Sequence, residues 1–196
     1  MALKVYQSQV RKLHANPKDL ESVKKSEKKL HELGFVSFVN DLSSNERKAI
    51  LDSPVKYFLP WRVVWNLNSV TTAFRLVFDG TMAMKNSYSL NDLLAKGTNN
   101  MNKLVELLIR WSIKKYAFHT DIQKMYNAIH LDQSHWCYQL YLWDDEFSLE
   151  NPVLKVIKTL IYGVGPSGNL AECALRKTGR HSESDYKRVS EIIQKD

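Results

Sequence analysis

The sequence predicts an α+β fold, on three observations. Helical patterns occupy both ends of the chain, aromatic and β-branched runs fill its middle, and strand signals are interspersed with further helices rather than strictly alternating with them. At 196 residues and 44% hydrophobic, with 11% aromatic, the chain has material for one packed core of ordinary domain size. No internal repeat or low-complexity tract is present.

Residues 1 to about 33 are rich in Lys, Glu and Leu, and Asn16-Pro17 places a capping residue ahead of a proline, the start of a second helix. Its apolar stripe is thin (Leu20, Val23, Leu30, Leu33). Glu21, Glu27 and Glu32 interleave with Lys24, Lys25, Lys28 and Lys29, the pattern of a solvated face, although the lysines could also touch a nucleic-acid backbone. Gly34 ends that helix, Phe35 to Val39 reads as a short strand, and Ser43-Ser44-Asn45-Glu46 is a capping box opening a helix through about Leu51.

Pro54 and Pro60 then punctuate the chain. Trp61–Trp65 and Phe74–Phe78 are candidate strands of a hairpin turning near Asn66-Leu67-Asn68-Ser69. The clearest helix spans 102–115, with Leu104, Leu108 and Trp111 on one stripe and Val105 and Ile109 beside it. Beyond it the pattern predicts a strand over 116–121, a short helix over 122–129 and strands over 136–143 and 153–162. Helices over 167–177 and 184–194 complete the reading. A helical lead-in over 1–53 followed by a mixed unit over 54–196 describes this organisation.

A net charge of +7 favours anionic partners without specifying one. Cys137 and Cys173 have no ligand-type spacing, so neither zinc nor a disulfide framework is indicated. No apolar run approaches the roughly 20 residues of a membrane span, and the N-terminus lacks a signal-peptide core. These features predict a soluble intracellular protein with no membrane partner.

Chemistry concentrates in a few segments. In Ala117-Phe118-His119-Thr120-Asp121-Ile122-Gln123-Lys124-Met125-Tyr126-Asn127 a carboxylate stands where a predicted strand gives way to a turn, a place suited to holding Mg²⁺ against a triphosphate. The residue types alone leave Asp121 open between that role and an ordinary turn or cap. Tyr126, by its residue type, reads as a half-buried helix aromatic. The Arg75 fork suits two phosphate oxygens, but a salt bridge with Asp79 would use it equally well. The run Gly163-Val164-Gly165-Pro166-Ser167-Gly168 lets backbone approach a ligand closely, and also describes a plain loop-to-helix junction.

Taken in order, RLVFDGT, SLNDLL, HTDIQKMY, WCYQLYLW and TLIYGVGPSGN resemble the reverse transcriptases of BEL/Pao-type long-terminal-repeat retrotransposons. The likeness is good from about Val55 to Lys177 and weaker over the helical lead-in. It implies the fingers and an incomplete palm of a right-hand polymerase. In the complete enzyme this fold performs RNA-directed DNA synthesis by a two-metal mechanism with Mg²⁺ or Mn²⁺.

The resemblance makes Asp121, with the Ile122 backbone carbonyl, the metal ligand of motif A. It assigns Arg75, Lys124, Met125, Tyr126 and Tyr162 to the incoming nucleotide, and Gly163, Ser167 and Gly168 to the loop beneath template and nucleotide. Asp79 becomes a structural residue of the fingers. The implied partners are an RNA or DNA template-primer, a dNTP and the remainder of a Pol polyprotein. The implied location is the cytoplasm or virus-like particles, with nuclear steps. Two other classes compete with this reading, a non-catalytic nucleic-acid-binding remnant and an interaction domain.

The sequence departs from the family in three places: Trp65 to Thr72 contains no lysine, Tyr162 stands where many relatives carry Gln or Phe, and Gly168 where Pro is usual. A two-metal site needs further carboxylates, which the family takes from an aromatic-x-Asp-Asp hairpin after motif B. Asp144-Asp145 precedes motif B and reads as a solvated turn. The expectation is therefore a polymerase fragment that is inactive alone and prone to aggregate.

Overall fold

The structure, a computed structural model, describes residues 2–65, 74–83, 87–99, 103–117 and 119–195. Helices α1 (Ala2–His14) and α2 (Pro17–Glu32) lead into β1 (Val36–Phe38), a 3₁₀ turn (Val39–Asp41) and α3 (Ser44–Leu51). Strands β2 (Trp61–Trp65) and β3 (Phe74–Phe78) follow, then α4 (Leu90–Leu93), α5 (Leu104–Ser112), a 3₁₀ helix (Gln133–Tyr138), β4 (Leu140–Trp143), β5 (Val153–Ile157), α6 (Ser167–His181) and α7 (Lys187–Lys195). The α+β class is therefore present.

Two antiparallel sheets form, one ordered β1-β5-β4 and one pairing β2 with β3 from Trp61 opposite Phe78 to Trp65 opposite Phe74. The predicted turn of that hairpin lies outside the described residues. In the first sheet Leu140 pairs Val156 and Tyr141 pairs Lys155, so side chains alternate between two faces. Tyr141, Trp143 and Ile157 join Tyr6, Val10 and Leu13 of α1 and Val23 of α2 in the main core, with Trp61 and Phe78 from the second sheet. Leu140 and Val156 belong to a smaller core with Val39, Ile50 and Trp136. Aromatic contacts tie the sheets together, Trp61 lying tilted 5.5 Å from Trp143 and edge-on 6.3 Å from Phe147 between ring centroids.

Local signals account for several boundaries. The Ser43 hydroxyl accepts from the Glu46 N–H while the Glu46 carboxylate accepts from the Ser43 N–H, completing the capping box of α3. Gly34 has φ +73, the left-handed conformation that follows a helix end.

Several expectations require correction, among them the strand over 153–162, which ends at Ile157. Among the described residues of 116–121 there is no strand. The 122–129 segment is a run of turns rather than a helix, with Lys124 at φ +53 interrupting helical geometry. The first half of the 136–143 strand is 3₁₀ helix, capped by the Asp132 carboxylate accepting from the Ser134 N–H. Glu27, expected on a solvated face, is 3% exposed. Its carboxylate forms a buried ion pair with Lys155 and accepts from the Tyr141 hydroxyl at 2.9 Å.

Candidate functional site

Three of the singled-out segments meet at one junction. Gly163, at φ +96, lies so close to the end of β3 that an added Cβ would stand 2.0 Å from the Phe78 carbonyl oxygen. The Gly163 carbonyl accepts from the Gly80 N–H at 3.2 Å and from the Asn91 side-chain amide at 2.9 Å. The other end of that amide, Asn91 Oδ1, accepts from the Gly165 N–H at 2.7 Å, and the Asn91 N–H donates to the Gly80 carbonyl at 3.0 Å. Residues 78–80, Asn91 and 163–165 thus form one hydrogen-bonded unit, possible only because Gly80 and Gly163 carry no side chain.

Asp79 sits beside this unit. Its carboxylate accepts from the Thr81 N–H at 2.9 Å and from the Thr81 hydroxyl, closing a tight turn after β3. Partial burial would raise its pKa. The Thr81 hydrogen bonds and the Arg62 charge outweigh that, and the carboxyl lies below its usual value. Among the described residues no Arg75–Asp79 salt bridge forms. Four residues apart on a strand they are roughly 13 Å distant along the chain. Arg75 is exposed on β3, opposite Val64.

The second gathering is around Tyr126. Its ring meets that of Tyr162 edge-on at 4.3 Å between centroids, and an added Cβ on Gly168 would lie 3.7 Å from its hydroxyl. The backbone holds them there: Leu160 N–H donates to the Ile129 carbonyl and Leu131 N–H to the Lys158 carbonyl, while His130 bridges Thr159. The segment after Asp121 therefore runs antiparallel to the segment leading into the glycine loop. Asn127 reinforces the pairing, its amide donating to Thr159 Oγ1 at 3.3 Å and to the Leu160 carbonyl at 3.4 Å.

Asp121 and Ile122 are exposed. The Ile122 carbonyl accepts from the Met125 N–H at 3.3 Å, which leaves one lone pair for a further partner. Lys124 places its ammonium 5.4 Å over the Phe35 ring. Burial, with the Lys29 charge second, holds that ammonium below the usual lysine value. Ser167 is buried at the start of α6, and its hydroxyl has no hydrogen-bond partner among the described residues.

No group of three or more His, Cys, Asp or Glu side chains that could hold a metal ion occurs among the described residues. Asp121 alone does not fit a two-ion site, which needs several carboxylates around the paired charges. Asp144 and Asp145 are spent on a turn. The Asp144 carboxylate accepts from the Glu146 and Ser148 N–H groups and Asp145 from the Trp143 indole N–H, while Phe147 adopts φ +52 with its ring fully buried.

Sequence reasoning missed Asn91, whose neighbours Ser89 and Asp92 form the capping box of α4 while its own amide reaches across to the glycine loop. The available signal was an amide residue inside SLNDLL. It also missed the Glu27–Lys155–Tyr141 cluster, for which the local sequence carries no sign. No helix among the described residues is long and apolar enough to cross a membrane. No family model matches the chain, and no curated protein matches it in sequence.

Proposed function

We propose that this chain is the fingers and part of the palm of a BEL/Pao-type reverse transcriptase, carrying a surface for an incoming nucleotide and a template-primer. The observation that supports this best is the junction itself. The RLVFDGT, SLNDLL and YGVGPSGN segments, which carry the sequence resemblance, are joined there by hydrogen bonds through Asn91, Gly80 and Gly163. Arg75 lies three residues upstream of Phe78, about 10 Å along β3, within the span of a nucleoside triphosphate.

In this reading Arg75 grips phosphate oxygens with its planar fork. Tyr126, held edge-on by Tyr162, packs where a ribose 2′-hydroxyl would lie and rejects it by contact. A metal ion held in part by Asp121 would supply positive charge beside the phosphate oxygens. Asp121 would contribute one ligand, and further carboxylates would come from elsewhere in a longer protein.

The test is binding plus extension. The 196-residue chain should bind an RNA–DNA heteroduplex with log affinity falling linearly in log salt, and should incorporate no dTTP with Mg²⁺ or Mn²⁺. Absence of binding even at low salt would sink the proposal, and robust incorporation would overturn the need for outside carboxylates. The commitment of the Asp144 and Asp145 carboxylates to turn hydrogen bonds supports a second reading, a remnant that binds nucleic acid without polymerising. Heteroduplex binding with no effect of dTTP would select it.

A further inference from the structure

We infer that Asn91 is a positioning residue for the nucleotide surface, fixing the Gly163–Gly165 backbone against the end of β3. The inference rests on the nucleotide-site reading above.

One carboxamide satisfies both faces of the loop. Its oxygen accepts from the Gly165 N–H at 2.7 Å and its nitrogen donates to the Gly163 carbonyl at 2.9 Å, so the two partners also dictate the orientation of the amide. No other side chain of similar size offers a donor and an acceptor separated this way. Aspartate keeps the acceptor but sets a carboxylate against the Gly163 carbonyl, and leucine keeps the volume with neither function.

The amide acts from a fixed base. Its backbone N–H is bonded to the Gly80 carbonyl, and the Ser89–Asp92 capping box pins the four-residue α4 on which it sits. The clamped loop bears directly on the candidate site. Gly163 follows Tyr162, the ring that holds Tyr126, and Gly165 precedes the α6 start at Ser167. With Phe78 and Gly80 on its other side, the loop also sets the spacing between these aromatics and Arg75 on β3. If Asn91 is lost the chain can retain its main core, because Asn91 is not among the residues that build it. The loop would nevertheless move away from β3.

The full chain labelled with ¹⁵N-glycine gives at most seven amide resonances, one for each glycine, and so reports Gly163 and Gly165 directly. These are followed while dTTP with Mg²⁺ is titrated in, with an oligo(rA)–oligo(dT) template-primer present. The expected result is that dTTP moves the Gly163 and Gly165 peaks of the natural protein. In Asn91→Leu the Gly165 amide should lose its exchange protection and dTTP affinity should fall about tenfold or more, with the Gly34 peak unmoved. Asn91→Asp, which keeps the acceptor, should retain Gly165 protection and lose affinity less, and it carries the test if the leucine variant does not fold.

If dTTP moves the loop peaks with equal affinity in the natural protein and both variants, the Asn91 inference falls and the nucleotide-site reading stands. If dTTP moves no loop peak in the natural protein, the reading falls and the inference with it. Loss of the Gly34 resonance position in both variants would show Asn91 to be a general fold residue and overturn its positioning role.

Discussion

Helices α2 and α5 reverse the order in which their sequences rank them. α2 is crowded with lysine and glutamate and has a thin apolar stripe, yet Val23 is fully buried and Leu20 and Leu30 pack against the main core. α5 carries six large apolar residues in nine and buries none of them, Leu104 being 68% and Ile109 56% exposed. The difference teaches that burial follows what an element faces and not how apolar it is. α2 faces a sheet whose aromatic residues fill the space above it. α5 precedes 116–121, where the predicted strand is not formed among the described residues.

The buried side of this comparison breaks most readily at Lys155. Its ammonium is ion-paired to Glu27 and lies 3.9 Å over the Phe38 ring, with both charged side chains almost fully covered. Lys155→Met removes one charge and leaves the other buried and unpaired, which should cost about 3–5 kcal/mol in denaturant unfolding. Adding Glu27→Gln to that variant should recover most of the loss, since the amide can still accept from Tyr141 and no buried charge remains. Equal instability of the single and double variants would show that packing, not charge, links α2 to the sheet.

Gly163→Ala tests the junction between the two regions. The substitution imposes a left-handed conformation worth roughly 1–3 kcal/mol of strain and a Cβ overlapping the Phe78 carbonyl. The Gly80 and Asn91 contacts should open with it, visible as faster amide exchange there and little change in the α1–α2 core.

Alkali should act on the packed region too. Burial first, then the Glu27 charge, raises the Tyr141 pKa well above 10.0, and burial with Asp144 raises Tyr6. Their folded-state pKa values exceed the unfolded ones, so the associated stability is complete below about pH 10 and declines as pH rises beyond it, by up to about 1.4 kcal/mol per pH unit for each group. Tyr141→Phe should flatten that decline, measured by urea midpoints from pH 9 to 12.

How much of this was readable in advance depends on the range of the interaction responsible. The α3 capping box, the Gly34 stop and the Trp61–Trp65 and Phe74–Phe78 strands were legible because caps, positive φ and β-branched runs act within a few residues. The Glu27–Lys155 pair joins residues 128 apart, and nothing local separates Glu27 from Glu21 or Glu32. At the candidate site the residue types of RLVFDGT and GVGPSGN were visible, while the part of Asn91 was not, because its partners are more than 70 residues downstream. The 122–129 turn run was misread as helix since periodicity does not register a left-handed residue at Lys124.

The smallest effect on folding belongs to α5, and it is the sharpest check on the opposition of the two helices. Leu108 is 51% exposed and joins no buried cluster, so Leu108→Ser should change unfolding free energy by less than about 0.5 kcal/mol, the range of an ordinary surface substitution. Its larger consequence should be colloidal. With Leu104, Val105 and Ile109 it presents contiguous apolar surface of the kind that drives association, and the serine variant should lower the average mass seen by light scattering at high concentration. A stability loss above about 1 kcal/mol would mean that α5 is packed in solution, as α2 is, and the contrast between them would disappear.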